Sequence, residues 1–290
     1  MIQTIRNIAS QLQAVYPADE AEALAWWVVE EETGLNRTQL QFGCKDTAFL
    51  PNMQEKIDRL LHFEPIQYIF GHTLWGGLDL KLTPATLIPR PETAELVELV
   101  NQSFNRQSSN RQWNVLDVGT GSGCIAIAIK KAHPEWQVTG IDISAEAIEV
   151  AKENANRNNV EVDFQVADIF SDECEAFYTS HHTPYTIIIS NPPYIRESEK
   201  VSMKPNVLNF EPSTALFVPD TDPLKFYRRI AELLSCTPYT LQHTPKYLFF
   251  EINEAFPQEL AAMLEQLGYT DIQISNDIYG KPRIIQSRMA

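Results

Sequence analysis

Cysteine is scarce: Cys44, Cys124, Cys174 and Cys236 are all that 290 residues contain. None stands at C-x-x-C spacing or near a histidine at metal-ligand spacing, which excludes a disulfide framework and gives no metal site. They read as buried thiols of a reducing cytoplasm. The pair His181-His182 lies in a polar loop where adjacent side chains point apart, so no ligand role is assigned to it. Basic residues are also few, with 23 Lys and Arg against 38 Asp and Glu and a formal net charge of −15. Holding nucleic acid by phosphate neutralisation needs a basic face. A protein or small-molecule substrate fits better, and no direct nucleic-acid partner is expected. No apolar run approaches the roughly 18 residues of a membrane span. The start, Met1-Ile2-Gln3-Thr4-Ile5-Arg6, lacks a basic stretch followed by an apolar core. A soluble, cytoplasmic protein without a membrane partner is expected, as a monomer.

What is present divides the chain. Helical spacing predicts helices over Ile2–Val15, Ala18–Thr33 and Pro51–His62, with Pro17 and Asp19 marking a start and Gly34 a stop. Glu30-Glu31-Glu32 reads as a solvated face. From Thr73 the pattern alternates through Leu74-Trp75-Gly76-Gly77-Leu78-Asp79-Leu80, a hairpin turning at the glycine pair. The expected organisation is a helical domain over 1–72, to which the resemblance given below assigns substrate recognition, a hairpin connector over 73–92 and a larger domain over 93–290. In the last, a helix near Thr93–Phe104 and the polar stretch Asn101–Asn114 precede alternating elements. Strands are expected at Val115–Val118, Gln137–Ile143, Asp163–Ala167, Tyr185–Ser190, Tyr247–Ile252, Ile272–Ser275 and Arg283–Ser287. Helices are expected at Cys124–Lys131, Ala145–Asn156, Pro223–Leu234 and Pro257–Leu267. This is an α/β fold with a seven-stranded, mostly parallel sheet and an antiparallel hairpin at its edge.

Two loops carry the chemistry. In Val115-Leu116-Asp117-Val118-Gly119-Thr120-Gly121-Ser122-Gly123, glycines alternate between a strand and a helix, where a ligand must approach without meeting a Cβ. A dinucleotide fingerprint is excluded, because the third glycine of G-x-G-x-x-G falls at Cys124 or Ala126, and a P-loop is excluded because no Lys-Ser or Lys-Thr pair follows. Asp142, about twenty residues on, suits both hydroxyls of a ribose; alone it could equally be an acid at the start of a helix, and its pairing with the glycine loop favours the ribose. Asp168 can accept an exocyclic amine while Ile169 packs on the ring, or serve as a turn residue. The second loop, Asn191-Pro192-Pro193-Tyr194, follows an apolar strand at the carboxyl end of the sheet. Its prolines fix φ and remove two donors, leaving a stiff loop of carbonyl acceptors, unless it is merely a proline-rich turn.

These residues resemble the HemK/PrmC family, the protein-(glutamine-N5) methyltransferases that modify peptide chain release factors. The resemblance runs through Glu64–Gly71, Trp75-Gly76, Thr86-Leu87-Ile88-Pro89-Arg90-Pro91-Glu92-Thr93, the glycine loop, Asn191–Ile195 and Phe210-Glu211-Pro212. It implies a Rossmann-like class I methyltransferase that uses S-adenosyl-L-methionine and releases S-adenosyl-L-homocysteine. It further implies that Gly119, Thr120, Gly121, Ser122, Gly123, Asp142, Asp168, Ile169 and Asn191 line the cofactor. Asn191 and Pro192 would be catalytic, and Asn191, Pro192, Pro193, Tyr194, Arg90 and Glu92 would border the substrate glutamine in a Gly-Gly-Gln loop. Arg90 and Glu92 otherwise read as a helix-start turn. If the Asn191 side-chain oxygen and the Pro192 carbonyl each accept an N–H, the amide nitrogen is oriented and its developing positive charge stabilised, with Tyr194 packed on the planar group.

The chain departs from the family pattern at Pro219–Leu224, at Pro238–Lys246 and at Asn253, all expected to lie away from the catalytic loops. Two other readings stand beside this one. An adenine-N6 DNA or RNA methyltransferase would suit the same acceptor loop, against the acidic balance. A non-catalytic protein could keep the fold, against two intact loops.

Overall fold

The computed structural model describes residues 1–42, 51–105, 113–171, 185–235 and 246–289. Cys44, Cys174, Cys236, His181-His182 and most of Pro238–Lys246 lie outside them. Contacts divide the chain into two compact units, residues 1–71 with 204–210, and residues 72–203 with 211–290.

The first unit is helical: α1 (Ile2–Leu12), α2 (Ala18–Thr33), α3 (Arg37–Phe42), α4 (Pro51–Leu61) and α5 (Ile66–Phe70). In α1 the buried residues Ile5, Ile8, Ala9 and Leu12 recur at three- and four-residue spacing, the stripe that one helix offers another. They share a core with Ala21, Ala25, Val28, Val29, Met53, Ile57 and Leu60. The helix expected to reach Val15 stops at Leu12, and Tyr16, whose hydroxyl donates to the Leu60 carbonyl at 2.9 Å, begins the approach to α2. Gly34 ends α2 in a left-handed conformation, its N–H on the Glu30 carbonyl, as its sequence position implied.

The second unit opens with the hairpin β1 (His72–Trp75) and β2 (Leu78–Lys81), paired antiparallel with Trp75 opposite Leu78. After α6 (Pro91–Asn105) come β3 (Asn114–Val118), α7 (Cys124–Ala132), β4 (Gln137–Asp142), α8 (Ala145–Arg157), β5 (Asp163–Val166) and β6 (Ile187–Ser190). Next are the short β7 (Ile195–Arg196), α9 (Pro205–Leu208) of the first unit, and β8 (Phe217–Val218). The chain closes with α10 (Lys225–Ser235), β9 (Lys246–Glu251), α11 (Pro257–Gln266), β10 (Thr270–Asn276) and β11 (Pro282–Met289).

Seven strands form one sheet in the order β10-β11-β9-β6-β3-β4-β5. The five inner and far strands run parallel, and β11 and β10 are antiparallel to their neighbours, so the expected seven-stranded sheet with its edge hairpin is present. β6 is buried at every position, as a central parallel strand covered on both faces must be. One face is filled by residues such as Val115, Ile125, Ile187 and Phe249, the other by Leu116, Ile188, Tyr227 and Phe250. The chain builds outward from β3 to β4 and β5 on one side and to β6 and β9 on the other. The crevice at such a reversal is where open α/β sheets bind ligands.

Candidate functional site

β3 and β6 are in parallel register, with Val118 opposite Ser190, so Gly119 and Asn191 leave the sheet side by side. The Ser190 hydroxyl donates to the Val118 carbonyl at 2.6 Å and ties the two exits together. The glycine loop bends toward β4, where the Ile141 carbonyl accepts both Gly119 N–H and Thr120 N–H. A cavity of about 380 Å³ opens there, lined among others by Gly119, Gly121, Asp142, Asp168, Ile169, Asn191, Pro192 and Pro193. Its volume suits a nucleoside-sized ligand.

At Gly119 and Gly121, both with positive φ, an added Cβ would enter open space beside this cavity. The bare backbone there leaves room that any side chain would fill. Asp142 lines the cavity and also braces the loop and the start of α8. One carboxylate oxygen accepts from Gly121 N–H at 2.9 Å and the other from Ser144 N–H at 2.9 Å, while Ser144 caps α8. Burial raises the Asp142 carboxyl above its ordinary value, against the pull of these N–H donors. Asp168 closes a turn by accepting Phe170 N–H at 2.9 Å and also lines the cavity beside Ile169 and Phe170.

Three residues assigned to the cofactor from the sequence fall outside the lining and support it from behind. Thr120 donates to Asp117 at 2.6 Å. The Ser122 carbonyl accepts from Asn154 at 2.8 Å. A Cβ on Gly123 would come within 3.0 Å of the Phe164 ring and 3.1 Å of Ala151, so this glycine serves packing. Asp117 is fully buried. Its Oδ2 accepts from Thr120 and from Ala126 N–H, its Oδ1 has no partner, and burial pushes its carboxyl up to about 7.

The acceptor loop rests on Glu251, which the sequence did not single out, and on Thr93, which it offered only as the end of the Thr86–Thr93 segment. Asn191 Nδ2 donates to Thr93 Oγ1 at 3.2 Å, and Thr93 Oγ1 donates to Glu251 Oε2 at 2.6 Å. Tyr194 does not present its hydroxyl to the cavity but donates it to Glu251 Oε1 at 3.1 Å. Glu251 is buried at the end of β9, and burial raises its carboxyl above the ordinary value. The same burial, with the Glu251 charge, raises the Tyr194 phenol and keeps it protonated. A signal for Glu251 did exist, an acid closing the apolar run Leu248-Phe249-Phe250 at the carboxyl end of the sheet. Asn253, expected to lie away from the catalytic loops, instead donates to the Tyr194 carbonyl at 2.9 Å and braces the loop. Arg90 and Glu92 are outside the cavity lining. Arg90 Nη2 donates to Glu211 Oε1 at 2.7 Å and Glu211 Oε2 accepts Ile88 N–H at 3.2 Å, which joins two segments whose neighbours Leu87 and Pro212 line the cavity.

With this geometry in view, comparison with known proteins is decisive. The chain is 41% identical over 282 residues to the release factor glutamine methyltransferase of Bacteroides thetaiotaomicron, covering 96% of each chain. It is 36% identical to that of Flavobacterium psychrophilum, covering 97% of this chain and 98% of the relative. The chain belongs to the release factor glutamine methyltransferase family. Residues 3–71 match the PrmC N-terminal domain and residues 96–209 the methyltransferase small domain, so the family's helical module corresponds to the first unit up to Gly71. The fold is shared more widely. The hMettl16 catalytic domain in complex with MAT2A 3'UTR hairpin 1 aligns with a TM-score of 0.56 at 15% identity, over 98% of this chain and 91% of that one.

Proposed function

We propose that this member of the family transfers the methyl group of S-adenosyl-L-methionine to the side-chain amide nitrogen of the glutamine in the Gly-Gly-Gln loop of peptide chain release factors. When bound, the cofactor supplies a methyl group activated on a sulfonium. The cavity residues fit it: Gly119 and Gly121 would leave room for its chain, Asp142 would accept from the ribose hydroxyls, and Asp168 and Ile169 would hold the adenine, beside Phe170.

The observation that carries the reading is the orientation of Asn191. Its NH2 group is held by Thr93, which leaves Oδ1 as an acceptor at the cavity. An amide nitrogen is a poor nucleophile because its lone pair is delocalised into the carbonyl. Asn191 Oδ1 and the Pro192 carbonyl accept its two N–H groups, fix its direction and favour the positive charge that grows on nitrogen. The bond formed is nitrogen to methyl carbon, the bond broken is sulfur to methyl carbon, and the surplus proton on nitrogen then leaves to water. No strong general base is needed. Arg90 acts on this region only from behind, through the wall that it holds with Glu211.

Incubation with labelled S-adenosyl-L-methionine and either a release factor or its Gln→Ala variant tests the reading. Label on the unsubstituted factor alone is expected, whereas label on both or on neither overturns it.

A further inference from the structure

Beyond holding the acceptor loop in place, the buried side chains behind it have a fixed hydrogen-bond direction. Glu251 lies at the end of β9 with almost no solvent exposure and Thr93 is buried in the first turn of α6. A carboxylate has acceptors only, whereas a threonine hydroxyl has one proton to give and lone pairs to receive. With Glu251 ionised, both of its oxygens accept, and the 2.6 Å contact commits the Thr93 proton to Oε2, a short, charge-assisted bond. Thr93 Oγ1 can therefore only accept from its other neighbour, and that neighbour is the Asn191 side chain at 3.2 Å. An asparagine amide offers either oxygen or NH2 to a partner. Facing a hydroxyl that can only accept, it must turn NH2 toward Thr93 and its oxygen away. The second Glu251 oxygen is taken by the Tyr194 hydroxyl at 3.1 Å, so the carboxylate orders both ends of the Asn191–Tyr194 loop.

We propose that Glu251 and Thr93 are positioning residues that set the direction of the Asn191 amide, so that its oxygen and never its NH2 group meets the substrate nitrogen. The inference rests on the reading of Asn191 as the acceptor for that nitrogen. If the amide were reversed, two N–H groups would face the N–H of the substrate, and the site would repel the atom it must orient. Neither residue lines the cavity. Each acts through Asn191, so its loss should lower turnover while leaving cofactor affinity in place.

The test uses the full-length protein with a release factor and measures kcat, KM for the factor, the Kd of S-adenosyl-L-methionine by calorimetry, and Tm. Thr93→Val keeps the shape and deletes the hydroxyl. Its kcat should fall roughly 10- to 100-fold, the range that misdirected catalytic groups produce, with the cofactor Kd within about threefold of wild type on the same scale. Thr93→Ser keeps the hydroxyl and should restore most of that loss. Glu251→Gln can offer either its oxygen or its NH2 group to Thr93, so the Asn191 direction is no longer unique, and its kcat should fall between those of the serine and valine variants. If Thr93→Val does not fold, Glu251→Gln against Thr93→Ser decides. Wild-type kcat in Glu251→Gln, equal losses in Thr93→Ser and Thr93→Val, or a fall in kcat that tracks a fall in cofactor affinity or Tm would overturn the proposal. Failure of the wild-type protein to label the factor would instead remove the glutamine reading on which it stands.

Discussion

The Arg90 guanidinium donates to Glu211 at 2.7 Å, and the Glu211 side chain is only 1% exposed while that of Arg90 is 31% exposed. Glu211 therefore depends on Arg90 and on Ile88 N–H for nearly all its solvation. Removing one partner of such a pair leaves a buried charge uncompensated. Arg90→Ala is expected to lower unfolding free energy by about 1–3 kcal/mol, below the full cost for a buried pair because Arg90 is partly solvated. It should also lower turnover by loosening the segments that carry Leu87 and Pro212. Arg90→Ala combined with Glu211→Gln should recover part of the stability, since no charge is then stranded. Urea denaturation checks this, and a double variant no more stable than Arg90→Ala would show that the pair is not the cause.

Asn154 is fully buried in α8 and joins the hairpin to the glycine loop. Its Nδ2 donates to the Lys81 carbonyl at 3.0 Å and the Ser122 carbonyl at 2.8 Å, and its Oδ1 accepts Lys81 N–H at 2.6 Å. Asn154→Ala strands these backbone groups and should destabilise the protein by about 1–3 kcal/mol. Because Ser122 belongs to the glycine loop, cofactor affinity should fall as well. Thermal unfolding with and without S-adenosyl-L-methionine separates the two effects; an unchanged ligand-induced Tm shift would mean that the loop does not feel Asn154.

The glycines of Gly119–Gly123 and the prolines of Asn191–Tyr194 were legible because each sits at a strand end, where backbone conformation alone restricts residue choice. The seven strands were legible because apolar runs alternate with amphipathic helices. Less legible were α3 and α5, of 6 and 5 residues, too short for a helical period to show. The supports of the site were hidden for another reason. Thr93 meets Glu251 across 158 residues, and Arg90 meets Glu211 across 121. No local pattern states which distant polar side chains share a buried space. Tyr194 illustrates the limit: its place in the loop was plain, but only the fold turns its hydroxyl to Glu251 rather than outward.

Gly121 and Gly140 separate ligand effects from packing effects. A Cβ on Gly121 would meet nothing closer than the Gly119 carbonyl at 4.0 Å, with φ at +54°, whereas one on Gly140 would come within 2.6 Å of the Phe164 ring and 2.8 Å of Thr120 Oγ1. Gly121→Ala is expected to raise the cofactor Kd about tenfold or more, about 1.4 kcal/mol or more of binding energy, with a stability cost of about 1–2 kcal/mol from the left-handed backbone. Gly140→Ala should destabilise by about 1–3 kcal/mol through overpacking. Calorimetric titration beside urea denaturation checks the contrast. A Gly121→Ala protein that binds the cofactor normally would remove this loop from the cofactor site.

Asp117 predicts the pH dependence of the ligand-free protein. Its carboxyl stands near 7 in the folded state because burial disfavours the charge, while in the unfolded chain it titrates at about 3.9. The folded state therefore binds the proton more tightly. The stabilisation this provides is complete below about pH 4 and is lost as pH rises through about 7. Other carboxylates titrate in the same range, so the useful quantity is the difference from Asp117→Asn, which carries no charge at any pH. Relative to that variant, the wild-type Tm should be highest near pH 4 to 5 and should decline steadily toward pH 8. Scanning calorimetry of both proteins across that interval measures it. Parallel curves would mean that Asp117 does not change its protonation there, and that its unpartnered Oδ1 is satisfied in solution by a group that keeps the carboxylate charged.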